Sequence, residues 1–145
     1  PRFPELIGYE VLVGSHQGAA ARSVPAELVQ FEASLQQAVR RLDAAIVVEQ
    51  PPADEDELRS VLTLCALVHG EWVRIHPFAN GNGRTARLWA NWCALRYALP
   101  PFVRLRPRPA GDTYSHAAAE SMQGEHRPMI GVFAAMLEDL LEEER

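Results

Sequence analysis

Lysine is absent from this chain: all fourteen of its cationic side chains are arginines. That excludes chemistry built on a lysine amine, such as the phosphate lysine of a P-loop or a Schiff base. Arginine is instead the residue that grips phosphates bidentately. Cysteine is scarce as well. Cys65 and Cys93 each sit inside an apolar helical pattern, so both are expected as buried thiols rather than as a disulfide or metal pair. No His/Cys/Asp grouping has the spacing of a zinc site. No apolar run approaches the roughly 20 residues that span a bilayer, and no basic stretch leads into an apolar segment at the N-terminus, so a cytoplasmic chain without a membrane partner is expected. The chain begins at Pro1 without a methionine. It is therefore expected to be cut from a longer one, with a removed targeting segment, secretion included, left open. Positive charge is also in deficit, the net value being −5. That argues against a nucleic-acid partner, whose binding face would be basic.

What the sequence does contain is enough apolar residue for one ordinary core in a single domain of 145 residues. "GYEVLVGSHQG" at 8–18 alternates Tyr9, Val11 and Val13 with Glu10, Leu12 and Gly14 and reads as a short strand or half of a hairpin. From Val24 the period changes. Phe31, Leu35, Val39, Leu42 and Ile46 fall at helical spacing, and the proline and acid linker at 49–57 suits the start of a second helix that runs to about Arg74. Leu58, Val61, Leu62, Leu64, Cys65, Val68 and Trp72 make that helix apolar over too wide a band for a surface position, so it should be central to a bundle. A third helix carries Leu88, Trp92 and Leu95 and must stop before Pro100 and Pro101. An irregular stretch at 100–111 and two helices, about 112–122 and 129–143, complete an all-α chain of five or six helices with a small N-terminal hairpin.

Between the second and third helices stands "HPFANGNGRTAR", His76 to Arg87. Gly81 and Gly83 flank Asn82 where the chain enters a helix, so backbone N–H groups can approach a ligand with no Cβ in the way. The unpaired amides and dipole of a helix start favour an anion there, by about 0.3–2 kcal/mol. Arg84 and Arg87, three residues apart, are expected on one face, placed to hold the outer phosphates of a nucleotide or diphosphate. His76 precedes the loop, next to Pro77, and can take a proton near neutral pH, which fits a general base.

This stretch resembles the motif of the Fic family: His-Pro-Phe, two variable residues, Gly-Asn-Gly-Arg, two variable residues and a second Arg. "LCALVHGEWVRIHPF" is similar to the family's lead-in helix and "LWANWCALRYALPPF" to the helix that follows the motif, so the resemblance runs from Gly8 to about Leu137. It implies a Fic-type helical bundle of about five to seven helices with an N-terminal hairpin called the flap. It also implies transfer of AMP from ATP to a Ser, Thr or Tyr hydroxyl of a target protein. In that scheme His76 deprotonates the hydroxyl, Phe78 anchors the loop, Gly81, Asn82 and Gly83 cradle the α- and β-phosphates, and Arg84 and Arg87 hold the β/γ end. Residues Tyr9, Glu10, Val11, Leu12, Val13 and Gly14 would be the flap that pairs with the target's backbone. The fold's other donors (UMP, phosphocholine, phosphate) stay open, since nothing in the chain reads the base.

Two positions depart from the family pattern. Asn80 stands where an Asp or Glu usually holds Mg²⁺, so a metal (Mg²⁺ or Mn²⁺) is expected to bind more weakly and to rely on the substrate phosphates. A nucleotide-binding module with little turnover is the alternative that Asn80 raises. The family's inhibitory helix, Ser/Thr, three residues, Glu, then Gly or Asn, has only a loose counterpart in "SMQGEH", where Ser121 and Glu125 are followed by His126. That segment reads better as a helix-to-helix turn, which leaves inhibition to a separate antitoxin-like partner, to a segment outside this sequence, or to none. Arg104, Arg106 and Arg108 read as a solvated edge, His69 as a packed core residue, and His16 as a flap neighbour with no demanded role.

Overall fold

The computed structural model describes residues 12–13 and 16–143. Of the expected flap, Tyr9, Glu10, Val11 and Gly14 lie outside the described residues. Leu12 and Val13 form strand β1 (Leu12–Val13), which pairs antiparallel with β2 (His16–Gln17), Leu12 opposite Gln17 and Val13 opposite His16. A 3₁₀ turn at Ala21–Ser23 leads into five α-helices among the described residues: α1 (Val24–Asp43), α2 (Glu55–Ile75), α3 (Asn82–Arg96), α4 (Asp112–Ser121) and α5 (Arg127–Glu143). The expected all-α bundle with a small hairpin is what the chain forms, and no helix among the described residues is long and apolar enough to cross a membrane.

Helices α1 and α2 show the local causes of their boundaries. Pro25 sits in the first turn of α1, and Arg40 and Arg41 in its last turn complement the dipole. The apolar series of α1 runs past the helix itself: Ile46 lies in the turn beyond Asp43 and is still only 3% exposed. At the start of α2, the Asp54 side chain accepts from the Glu57 N–H at 2.9 Å, and the Glu57 carboxylate accepts from the Ala53 N–H at 2.7 Å. These bonds satisfy amides that the helix start leaves over.

Helix α2 is the axis of the molecule and packs against all four other α-helices. It buries Val61, Leu62, Leu64, Cys65, Val68, Trp72 and Ile75, the wide band that the sequence indicates. Where α2 meets the end of α4 there is no room for a side chain on one of them. A Cβ built on Gly70 would lie 2.0 Å from the Ser121 Oγ, so Gly70 is what lets the two helices close on each other.

Helix α3 overturns its own sequence signal. Leu88, Trp92 and Leu95, the stripe by which the helix is recognised, remain 45–54% exposed. The face turned to α2 is instead Ala86, Ala90, Cys93 and Ala94, all fully buried. Small residues there permit a close approach of the two backbones, near enough for the Cys65 Sγ–H to donate to the Ala90 carbonyl at 3.3 Å. The outward stripe lines an apolar groove with Trp72, Pro101 and Leu105. Burial raises both thiols well above their ordinary pKa, Cys93 to about 12.

The irregular segment after α3 is held from within. Asn91 donates to the Val103 carbonyl at 2.8 Å and accepts from the Val103 N–H at 2.9 Å, the two bonds a neighbouring strand would make. At the same end of α3, Arg96 and the Tyr97 hydroxyl both bond Asp43 at the end of α1. The packing yields a paired prediction. Gly70→Ala should destabilise the fold by about 1–3 kcal/mol through overpacking, whereas Gly131→Ala, in α5 with nothing within 4 Å of the new methyl, should stabilise it by about 0.5–1 kcal/mol. Urea unfolding of both variants checks the signs.

Candidate active site

The motif occupies the turn from α2 to α3, and each of its residues has a structural cause. His76 is the C-cap of α2 in the left-handed region, φ 52° and ψ 55°, with its N–H donating to the Trp72 carbonyl at 3.0 Å. That conformation swings its ring back over the helix end, where Nδ1 lies 3.0 Å from the Val73 carbonyl. A carbonyl only accepts, so Nδ1 carries the proton of the neutral ring and the basic lone pair resides on Nε2. Pro77 is fully buried behind it. Phe78 is half-buried, its ring 5.8 Å from that of Trp72, within an aromatic cluster that also takes in Phe31 and Trp89.

Asn82 closes the turn. Its side chain donates to the Phe78 carbonyl at 2.7 Å and accepts from the Phe78 N–H at 3.0 Å, and it is 2% exposed. The asparagine between the glycines is therefore a clamp on the loop, and only its backbone N–H is left to meet a ligand. Gly81, the N-cap of α3, has φ 90°, a value that favours glycine. No side chain caps this helix, so the amides of its first turn have no side-chain acceptor. Asn80 is exposed at the tip of the turn.

The two arginines reach the loop by different routes. Arg84 is exposed and folds back, so that a Cβ on Gly81 would come within 3.3 Å of its Nη2. Arg87 is 4% exposed, and a Cβ on Gly83 would meet its Nη1 at 3.4 Å. The glycines thus leave space for guanidinium groups as well as for a ligand. Arg87 donates from Nη2 to the Leu105 carbonyl at 3.0 Å and from Nη1 to the Tyr114 hydroxyl at 3.4 Å, while its buried Nε–H has no partner among the described residues. No carboxylate pairs with it among the described residues; the ion pairs there belong to Arg74 and Arg96. A buried cation without a counter-ion is a strong anion-binding element.

Tyr114 and Leu105 escape the sequence reading because each lies 18 or more residues from Arg87, and nothing in local spacing announces them. His69, read as a core residue, is one: it is fully buried, with Nε2 2.6 Å from the Tyr114 hydroxyl. Burial, aided by the charge of Arg87, depresses its pKa to about 3. Of the basic segment, Arg104 and Arg106 are exposed, while Arg108 bonds Ser115 at 2.6 Å and lies 5.9 Å from the centre of the Tyr114 ring. His16 accepts from the Gln123 amide at 3.2 Å. Ser121 is buried with its Oγ 2.6 Å from His126 Nδ1, at the end of α4 and the turn into α5, where the sequence places a helix-to-helix turn.

The model of the Fic/DOC family matches residues 8–94, more than half of the chain. "Protein adenylyltransferase Fic" of Drosophila virilis is 36% identical over 77 residues, 53% of this chain and 16% of that protein. The protein of the same name from Drosophila melanogaster is 36% identical over 77 residues, covering 15% of its length. The chain therefore matches only a small part of these relatives.

The buried His69 gives a pH dependence with a definite sign. Its folded pKa of about 3 lies below the ordinary 6.5, so between those values the unfolded chain binds the extra proton. Stability is full above pH 6.5 and falls as the pH drops towards 3, by about 1.4 kcal/mol per unit. Urea unfolding at pH 7.5 and 5.5 should show wild type losing about 1.4 kcal/mol more than His69→Gln. Equal losses in the two proteins would contradict a buried neutral imidazole.

Proposed function

Since this chain belongs to the Fic/DOC family, we propose that it transfers AMP from ATP to a Ser, Thr or Tyr hydroxyl of a target protein and releases diphosphate. The observation that carries this reading is Arg87, a buried guanidinium with no carboxylate partner beside a glycine loop at a helix start. A triphosphate tail supplies the charge such a site lacks. The printed name of the relatives, protein adenylyltransferase, supports AMP as the transferred group.

The roles follow from position. The proton on Nδ1 of His76 is held by the Val73 carbonyl, so Nε2 takes the proton of the incoming hydroxyl as its oxygen bonds the α-phosphorus. The bond from that phosphorus to the bridging oxygen of the β-phosphate breaks, and its electron pair leaves on diphosphate. Arg84, Arg87 and the amides of Gly81, Asn82 and Gly83 stabilise the charge that develops on the phosphates. Strand β1, Leu12–Val13, pairs with β2, and a hairpin of this kind suits strand addition by the target.

Mg²⁺ or Mn²⁺ fits this site as a companion of the nucleotide. Among the described residues no group of three or more His, Cys, Asp or Glu could hold a metal by itself, and the motif turn offers the carbonyl oxygen of exposed Asn80. A hard cation there would be carried chiefly by the phosphates and would neutralise their charge. The same asparagine supports a second reading, in which nucleotide is bound and turned over slowly.

Incubation with ATP labelled on the α-phosphate, a divalent metal and a lysate should label protein, and γ-labelled ATP should not. His76→Ala should lower the rate by about 10²–10⁴ while leaving ATP affinity near wild type. Absence of His76-dependent label with either metal, despite ATP binding, would falsify the transferase reading and leave the binding module. Asn80→Asp should lower the metal concentration needed for half-maximal activity; an unchanged requirement would mean that Asn80 lies outside the metal's reach.

A further inference from the structure

Three buried groups from three helices stand in line behind the glycine loop: Arg87 of α3, Tyr114 of α4 and His69 of α2. Each link is short. The Arg87 Nη1 to Tyr114 hydroxyl distance is 3.4 Å, and the hydroxyl to His69 Nε2 distance is 2.6 Å. The guanidinium sets one direction and the tautomer of His69 sets the other. A guanidinium only donates, so the Tyr114 oxygen accepts from Arg87, and the phenolic proton is free to go to His69. When the phenolic proton goes to His69, the imidazole presents a lone pair on Nε2 and is neutral.

Burial keeps both rings uncharged, and the Nδ1 of His69 has no partner among the described residues. His69 packs edge-on against Tyr114 and Phe133, with ring centres 5.6 Å apart in both cases, and its pKa lies far below neutrality. Burial raises the pKa of Tyr114, so it remains a phenol. The Tyr114 ring also lies 6.0 Å from the Arg87 guanidinium carbon, within cation–π range. The arrangement therefore holds a single positive charge without neutralising it. With Nη2 tied to the Leu105 carbonyl, Nη1 is the nitrogen that comes close to Gly83, and the buried Nε–H has no partner among the described residues.

We infer that Tyr114, held by His69, is a positioning residue that fixes the Arg87 guanidinium against the loop and so makes the site select a nucleoside triphosphate over a monophosphate. A carboxylate in place of Tyr114 would anchor Arg87 equally well but cancel the charge a phosphate needs. A hydroxyl polarised by a neutral imidazole anchors it and leaves the charge available. This inference rests on the reading of the motif as a nucleotide-phosphate site.

The experiment is a double-mutant cycle on nucleotide affinity, with ATP and AMP titrated calorimetrically into wild type, Tyr114→Phe, Arg87→Ala and the double variant. Tyr114→Phe keeps the ring and loses only the hydroxyl. It should weaken ATP about 10-fold, the scale of a hydrogen bond to a charged group, and leave AMP unchanged. In the Arg87→Ala background the same change should have no further effect, which a general loosening of the fold would not reproduce. His69→Gln, whose amide oxygen can take the phenolic proton, should retain most of the preference for ATP. If Arg87→Ala abolishes the preference while Tyr114→Phe keeps it, or if the two losses add, the positioning role is overturned and the phosphate site stands. If wild type binds ATP and AMP alike and Arg87→Ala changes neither, the phosphate reading fails and this inference falls with it.

Discussion

A guanidinium taken out of water without a carboxylate is the constraint around which this structure is arranged. Desolvating a cation is costly unless fixed dipoles replace its hydration. Arg87 receives a backbone carbonyl from the segment after α3 and a phenol from α4. Each of these partners needs support in turn. The Leu105 carbonyl is presented by a segment without regular structure that Asn91 pins at Val103, and the phenol is bonded by an imidazole on α2. The position of Arg87 thus depends on three helices and one loop at once.

The opposite side of the site is built by backbone rather than by charge. A left-handed His76 ends α2, a left-handed Gly81 begins α3, and the paired bonds of Asn82 to Phe78 set the span between them. Phe78 is docked on Trp72, in the aromatic cluster that ties α1 and α3 to α2. A rigid turn of this kind keeps the imidazole and the helix start in fixed relation. The transfer proposed above, with its proton acceptor beside the phosphates, would draw on such preorganisation.

The role of α3 shows how far a sequence pattern can mislead about direction while being right about existence. Leu88, Trp92 and Leu95 announce a helix at the correct place, yet they face outward, because the alanines and Cys93 on the other side let α3 come closer to α2 than large side chains would. Periodicity reports that a helix has an apolar stripe. Which stripe is buried depends on how near the neighbouring backbone can come, and that depends on residues 20 or more positions away, such as Cys65 against Ala90.

What the sequence determined by itself was local: a bundle of five or six helices and their order, the central place of α2, the hairpin, and a motif whose glycines, histidine and arginines are adjacent along the chain. These features rest on contacts between residues a few positions apart, where spacing fixes geometry. Only the tertiary structure decided which arginine is buried, that Asn82 spends its side chain on the loop, and that His69 and Tyr114 stand behind Arg87. The first and last of these arise where helices distant in sequence meet, and the second only once the turn has closed on Phe78. A hydrogen bond between residues 45 positions apart, like that of His69 with Tyr114, leaves no periodic trace in the chain that makes it.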